Sequence, residues 1–297
     1  MITYIGVIAA LSAAFLWAAS STVYSLLGLK IPPLKLNLYK GLIAIALILI
    51  TLVITNNLEL AVEFSTLGWL IISGVIGIGL GDTAYFLALK HNGPRKTLLL
   101  ETLSPPLAGG LAWLYLGETL TIRAWSGIIL TVLGVCWVIS EKTQDSYNPL
   151  QKPKLGIMWG ILAAISQATA AVISRYALVE SGIAPLNSTL IRLIGGTIII
   201  VPLLLLFSPP RVNIKPETTT NQGKTFLILV ATAFASTYLG IWLQQTALKY
   251  TPTGIATTLL ATSPLFILPI AKIRGEKISF RAILGVLIAL VGIANLG

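Results

Sequence analysis

The chain has 297 residues, of which 56% are hydrophobic and only 10% charged, with 20 Lys and Arg against 10 Asp and Glu, and its mean hydropathy is +0.89. That balance excludes an ordinary soluble globular domain and reads as an all-α, multi-pass membrane protein. The formal charge of +10 is scattered over short loops rather than gathered on one face, which argues against nucleic acid as a partner and for loop charge beside membrane lipids.

Runs apolar and long enough to cross a bilayer, about 20 residues each, are predicted at 4–27, 36–54, 67–89, 97–116 and 122–140. After a polar linker, five more follow at 155–179, 186–207, 225–248, 253–273 and 278–295. The first run invites comparison with a secretory signal peptide, but it lacks a basic start and stays apolar to Leu27, so it is read as a permanent span. The single cysteine, Cys136, lies in an apolar run. Within one subunit it supports neither a disulfide nor a thiolate metal site, and no metal or other cofactor is expected.

The two sets of five helices match one another along the chain. Gly6, Ala13, Ala14 and Ala18 fall opposite Gly156, Ala163, Ala164 and Ala168, and Pro33 and Lys40 opposite Pro185 and Arg192. Leu80-Gly81 matches Leu239-Gly240, Ala88-Leu89-Lys90 matches Ala247-Leu248-Lys249, and Ser104-Pro105 matches Ser263-Pro264. Gly117-Glu118 matches Gly275-Glu276, and Gly127 and Gly134 match Gly285 and Gly292. The expected organisation is therefore a five-helix repeat over 1–140, a linker over 141–154 and a second repeat over 155–297. An odd number of helices brings the second copy into the membrane from the opposite side, so ten helices form two inverted repeats with a transport site at the seam. Lys and Arg concentrate in the loops after odd-numbered helices, which places those loops in the cytoplasm and both termini outside.

Asp82 and Glu101 interrupt apolar helical text on either side of the His91-Asn92-Gly93-Pro94 turn. At a helical rise of 1.5 Å per residue both lie roughly 12 to 15 Å deep, near the midplane of a core about 30 Å thick. Neighbouring carboxylates in a low-dielectric site resist simultaneous ionisation, so the pair has room for a shared proton. The alternative has each carboxylate fixing helix packing through nearby hydroxyls or a base such as Lys40. The mirror positions are Ile241 and Leu260, so any carboxylate chemistry is asymmetric. Ser104-Pro105-Pro106 and Ser263-Pro264 break two apolar helices and are read as hinges at Pro105, Pro106 and Pro264. Trp17, Tyr24, Tyr85, Gln167, Gln244 and Gln245 add polar and aromatic groups at similar depth, suited to a small zwitterionic or amphipathic solute. Lys40, Arg175 and Arg192 are expected to snorkel toward headgroups, the alternative being that they guide an anionic substrate. The small-residue pairs Gly77/Gly81, Gly156/Gly160 and Ser236/Gly240 are expected to pack helices closely.

The five-helix unit, with Ala-Leu-Lys ending its third helix, Ser-Pro in its fourth and Gly-Glu after it, resembles the EamA-type members of the drug/metabolite transporter superfamily. The resemblance covers Gly6 to Gly134 and Gly156 to Gly292. It implies a ten-helix permease with a central cavity lined by the first, third and fourth helix of each repeat. The function it implies is secondary active transport of small metabolites such as amino acids or amphipathic compounds, often export, without ATP. The membrane glutamate of the first helix in related small multidrug resistance proteins has no counterpart, since that stretch reads Phe15-Leu16-Trp17-Ala18. The expectation is a non-enzymatic exporter of the cell membrane, coupled to a proton gradient through Asp82 and Glu101, monomeric or homodimeric. The alternatives are a membrane-embedded ligand-binding or sensory protein and a lipid-modifying enzyme; one histidine and one cysteine leave little to build the latter with.

Overall fold

In the computed structural model, residues 4–28, 31–56, 62–139, 152–207, 222–266 and 279–296 are described. The end of the ninth predicted helix, the Gly275-Glu276 pair and most of the predicted linker lie outside them. Among the described residues there is helix and no strand, as lipid demands of a chain whose backbone bonds must close within each segment.

In chain order the first half holds α1 (Tyr4–Leu27), α2 (Pro33–Ile54), α3 (Phe64–Gly74), a π-helical stretch (Val75–Gly81), α4 (Asp82–Glu101), α5 (Ser104–Leu116) and α6 (Ile122–Ile139). The second holds α7 (Pro153–Ser181), α8 (Pro185–Phe207), α9 (Gln222–Ala233), a second π-helical stretch (Phe234–Leu239), α10 (Gly240–Tyr250), α11 (Thr253–Leu260) and α12 (Phe280–Ala294). Six continuous helices among the described residues are long and apolar enough to cross a membrane. The surface is correspondingly apolar: Ile50, Leu114, Leu205, Phe226 and Leu287 point outward, while Asn37, Lys40, Ser188, Arg192 and Gln245 are buried. That is the reverse of a soluble protein and the arrangement expected of one solvated by lipid.

Two features depart from uniform helices. The third predicted helix of each half is not α-helical throughout, because each contains a π turn at its centre. The fourth breaks just before its Ser-Pro, at Thr102–Leu103 and at residues 261–262, and resumes with the proline in its first turn, where a missing N–H costs nothing. The carbonyls released at these breaks accept from neighbouring hydroxyls: Thr102 Oγ1 donates to Leu99 (2.6 Å), Thr262 Oγ1 to Leu259 (2.6 Å) and Ser263 Oγ to Leu260 (2.9 Å). The turn between the third and fourth helices falls at Gly93, whose φ of +73° suits a residue without a Cβ.

Packing interleaves the halves. α1 lies against α10, α11 and the second π turn, whereas α7 lies against α3, α4, α5 and the first π turn. α2 packs on α8 and α6 on α12. Two bundles result, each built from the first helix of one half and the third and fourth of the other. The seam therefore runs between mixed bundles, not between residues 1–140 and 155–297.

α6 and α12 meet through the matched glycines. A Cβ at Gly134 would stand 2.5 Å from the Ala289 amide nitrogen and 2.7 Å from the Gly285 carbonyl oxygen, and backbone cannot retreat as a side chain can. Gly134→Leu is expected to cost about 1–3 kcal/mol by overpacking, seen as a lower melting temperature in detergent. Gly110, with nothing within 4 Å of a Cβ, should accept alanine without loss.

Candidate functional site

A cavity of about 180 Å³ lies between the two bundles. One wall comes from α1, the second π turn, α10 and the region of α11, with Trp17, Tyr24, Ser236, Gln244, Ser263 and Pro264. The other comes from the first π turn, α4, α5 and α7, with Ile78, Asp82, Tyr85, Phe86, Glu101, Ser104 and Gln167. Lys40 of α2 and Arg192 of α8 complete the lining.

The π turns explain why polar groups converge here. Widening the helix from an i−4 to an i−5 pattern frees carbonyls at the middle of the membrane, and these must be satisfied from elsewhere. Trp17 Nε1 donates to the Ser236 carbonyl (2.9 Å), and Gln167 Nε2 to the Gly77 carbonyl (3.3 Å). Trp17 and Gln167 each precede a matched alanine, Ala18 and Ala168, and Ser236 and Gly77 each lie four residues before a matched glycine, Gly240 and Gly81. Equivalent residues of the two halves thus make equivalent bonds. Asn37 Nδ2 adds a bond to the Ile78 carbonyl (2.8 Å), and Tyr24 Oη shares one with Ser236 Oγ (2.8 Å).

Asp82 and Glu101 both reach this cavity but are held differently. Asp82 forms an ion pair with Lys40 and accepts a 3.0 Å bond from Gln167 Nε2. Lys40 Nζ also sits 5.4 Å from the centre of the Phe86 ring, a cation–π placement. Glu101 has a buried Oε1 without a hydrogen-bond partner. Of the two arrangements weighed, the ion pair of Asp82 with Lys40 is present, and Glu101 stands within electrostatic reach of Asp82 without bonding it. Lys40 and Arg192 do not snorkel: they are 5% and 1% exposed and face inward. The sequence showed the matched bases inside two apolar helices but not which way they turn, since a long basic side chain can reach headgroups or a partner from that depth.

Of the other predicted site residues, Trp17, Tyr24, Tyr85, Ser104, Gln167, Gln244, Ser263 and Pro264 line the cavity. Gln245 does not; it is fully buried beside it, with Oε1 accepting from Ser188 Oγ at 3.0 Å. Pro105 and Pro106 lie at the start of α5, away from the lining. Sequence reading missed Ser236, Thr237 and Phe86, whose apolar or hydroxyl character is common throughout the helices and marks no depth.

A polar cluster lies one helical turn beyond the cavity lining, where Arg175 follows Ala171, Leu248 follows Gln244 and Thr253 precedes Thr257. Arg175 on α7 pairs with Glu118, just beyond α5 (Nε to Oε1, 2.7 Å). Arg175 Nη1 also donates to the carbonyls of Leu248 (2.7 Å) and Lys249 (2.6 Å) at the end of α10, while Glu118 Oε2 accepts from the Thr253 amide (2.7 Å) opening α11. Lys249 Nζ in turn donates to the carbonyls of Gly182 (2.6 Å) and Ile183 (2.8 Å). The α10–α11 connection of one bundle is thereby tied to the other. Arg175 too is drawn into the protein rather than to headgroups.

The family model described as EamA-like transporter family matches residues 4–140 and 154–296. An uncharacterized transporter of Archaeoglobus fulgidus is 25% identical over 294 residues, spanning 97% of this chain and 96% of that protein. A protein crystal structure superposes with a TM-score of 0.74 over 98% of this chain and 95% of its own, at 17% identity, which is a likeness of fold.

Asp82→Asn removes a charge and leaves the buried Lys40 ammonium unpaired, which should cost about 3 kcal/mol of stability. The double variant Lys40→Met with Asp82→Asn should recover most of that loss. Thermal melts of the wild type, both single variants and the double variant give the coupling; additive losses would mean the pair contributes nothing as a pair.

Proposed function

The chain belongs to the EamA-like transporter family, and on that premise we propose that it is a secondary active transporter moving small polar or amphipathic metabolites, outward, across the cell membrane. In this reading ten spans form two inverted five-helix repeats. The observation that carries it is the cavity between two mixed bundles, with the Glu118–Arg175 cluster joining the bundles one turn beyond its lining. A binding protein needs only a pocket. A carrier needs one that two faces reach in turn, and a latch of hydrogen bonds that rocking can make and break supplies that switch.

The moving bodies are the bundles, because each packs within itself across both halves. The π turns and the helix breaks before Ser104 and Ser263 are the places where the backbone bends. Proton coupling rests on Glu101. Asp82 is engaged by Lys40 and Gln167, whereas Glu101 Oε1 has no donor, and an acid so placed can take up and release a proton without dismantling the site.

Reconstituted proteoliposomes preloaded with a mixture of amino acids and short organic acids should exchange labelled members of that mixture, and accumulate them when a pH gradient is imposed. Glu101→Gln should keep exchange and lose gradient-driven accumulation by tenfold or more; unchanged accumulation sinks the coupling role and leaves transport standing.

The latch has its own test. In a cysteine-free background, with Cys136→Ser, a cysteine at the cavity position Thr257 is exposed to a membrane-impermeant maleimide. Arg175→Gln should raise its labelling several-fold from the face carrying the α10–α11 connection. Equal labelling with and without Arg175 would show that the cluster closes nothing.

A further inference from the structure

The two repeats place a base at the same point of their second helix, Lys40 in one and Arg192 in the other. In the first half the partner is Asp82, one residue after Gly81. The residue one after the matched Gly240 is Ile241, an apolar side chain that also lines the cavity. The fold thus repeats the cation and omits its carboxylate.

Arg192 is 1% exposed and faces the cavity. Its Nε donates to Ser73 Oγ (3.0 Å) and its Nη1 reaches Gln244 Oε1 (3.4 Å). Both acceptors are neutral, and Arg192 makes no ion pair among the described residues. A guanidinium has five N–H donors in a planar fork, so most of its capacity remains. At Gly77 the opposite wall has no side chain, and a Cβ there would stand 3.1 Å from Arg192 Nη2. The other charged groups facing this space do not take up the fork: Asp82 lies within electrostatic reach of Arg192 but is bonded to Lys40 and Gln167, and Glu101 forms no ion pair with Arg192.

A buried cation that no carboxylate bonds directly is expensive inside a membrane protein and is retained where it is used. We propose that Arg192 anchors the carboxylate of the transported solute, so that the cavity selects small organic acids over their neutral analogues. The solute's carboxylate takes the place in the second half that Asp82 holds in the first. The planar fork of arginine matches a carboxylate through two parallel bonds, which a lysine point charge cannot reproduce. A single carboxylate balances the single unpaired guanidinium, whereas a phosphate dianion would leave a new unpaired charge in the same low-dielectric space. Trp17, Ile241 and Leu260 on the same lining receive the apolar body.

This inference rests on the cavity being the solute site, and its test is a binding measurement separate from flux. Purified wild-type protein is titrated, by thermal shift and calorimetry, with two matched pairs of an acid and its neutral amide: N-acetyl-L-leucine and its amide, 3-phenylpropionate and 3-phenylpropionamide. At least one acid should bind tenfold or more tightly than its amide, the scale of discrimination set by a charge-assisted, buried contact. Arg192→Gln should abolish the preference and Arg192→Lys reduce it. Where the glutamine variant fails to give a monodisperse protein, the wild-type pairs and the lysine variant decide. No acid preference in the wild type, or a preference that survives in Arg192→Gln, overturns the anchor. Acid-selective binding without flux sinks the transporter reading and keeps the anchor; flux of acids and amides alike does the opposite.

Discussion

Inside a bilayer no water is at hand to satisfy a charge or a freed carbonyl, so every such group in the middle of this protein must be answered by another part of the chain. That constraint gathers the structure around its cavity. Lys40 answers Asp82, Gln167 answers both Asp82 and the Gly77 carbonyl, Trp17 answers Ser236, and Ser73 joins Arg192 to Ser174 and the Ala170 carbonyl. These contacts link α1, α2, α3, α7, α8 and both π turns, which come from the two halves alike. Among the groups left incompletely answered, the Arg192 fork and Glu101 Oε1 face the cavity, where a function is most economically built.

The same constraint explains where the chain gives up regular helix. A π turn or a proline break exposes carbonyls, and such a break is tolerable only where hydroxyl, amide or indole donors are close. Both π turns and both Ser-Pro breaks satisfy this condition. Their position in the third and fourth helix of each half lets two mixed bundles bend around a cavity while α6 and α12, locked together through Gly127, Gly134, Gly285 and Gly292, stay close-packed at the periphery. The polar cluster at Glu118 and Arg175 ties one short connection, α10 to α11, to the other bundle.

Much of this was legible beforehand. Length and polarity alone place α1, α2, α7 and α8, because a 30 Å hydrocarbon core leaves a clear apolar signature. The Asn92-Gly93-Pro94 turn was legible because its residues permit little else, and most of the predicted polar residues do face one cavity. The matched positions of Lys40 and Arg192 were visible too, but not their direction, since a long basic side chain can run outward to headgroups or inward to a partner. Gln245 and Gln244 are neighbours of the same type, and only helix rotation decides that one lines the cavity and the other bonds Ser188.

The sequence by itself determined an all-helical membrane chain, a pattern of matched residues written twice, and positions at which the two copies differ, Asp82 and Glu101 against Ile241 and Leu260. Local composition encodes these, through hydrophobic length and repeat. Tertiary structure alone decided that the bundles are mixed rather than sequential, that Asp82 forms its ion pair with Lys40, and that Arg192 faces the cavity without an ion pair among the described residues. Each of those depends on which helices lie side by side and how each is turned about its axis, and residues separated by tens to hundreds of positions carry no local signal of that.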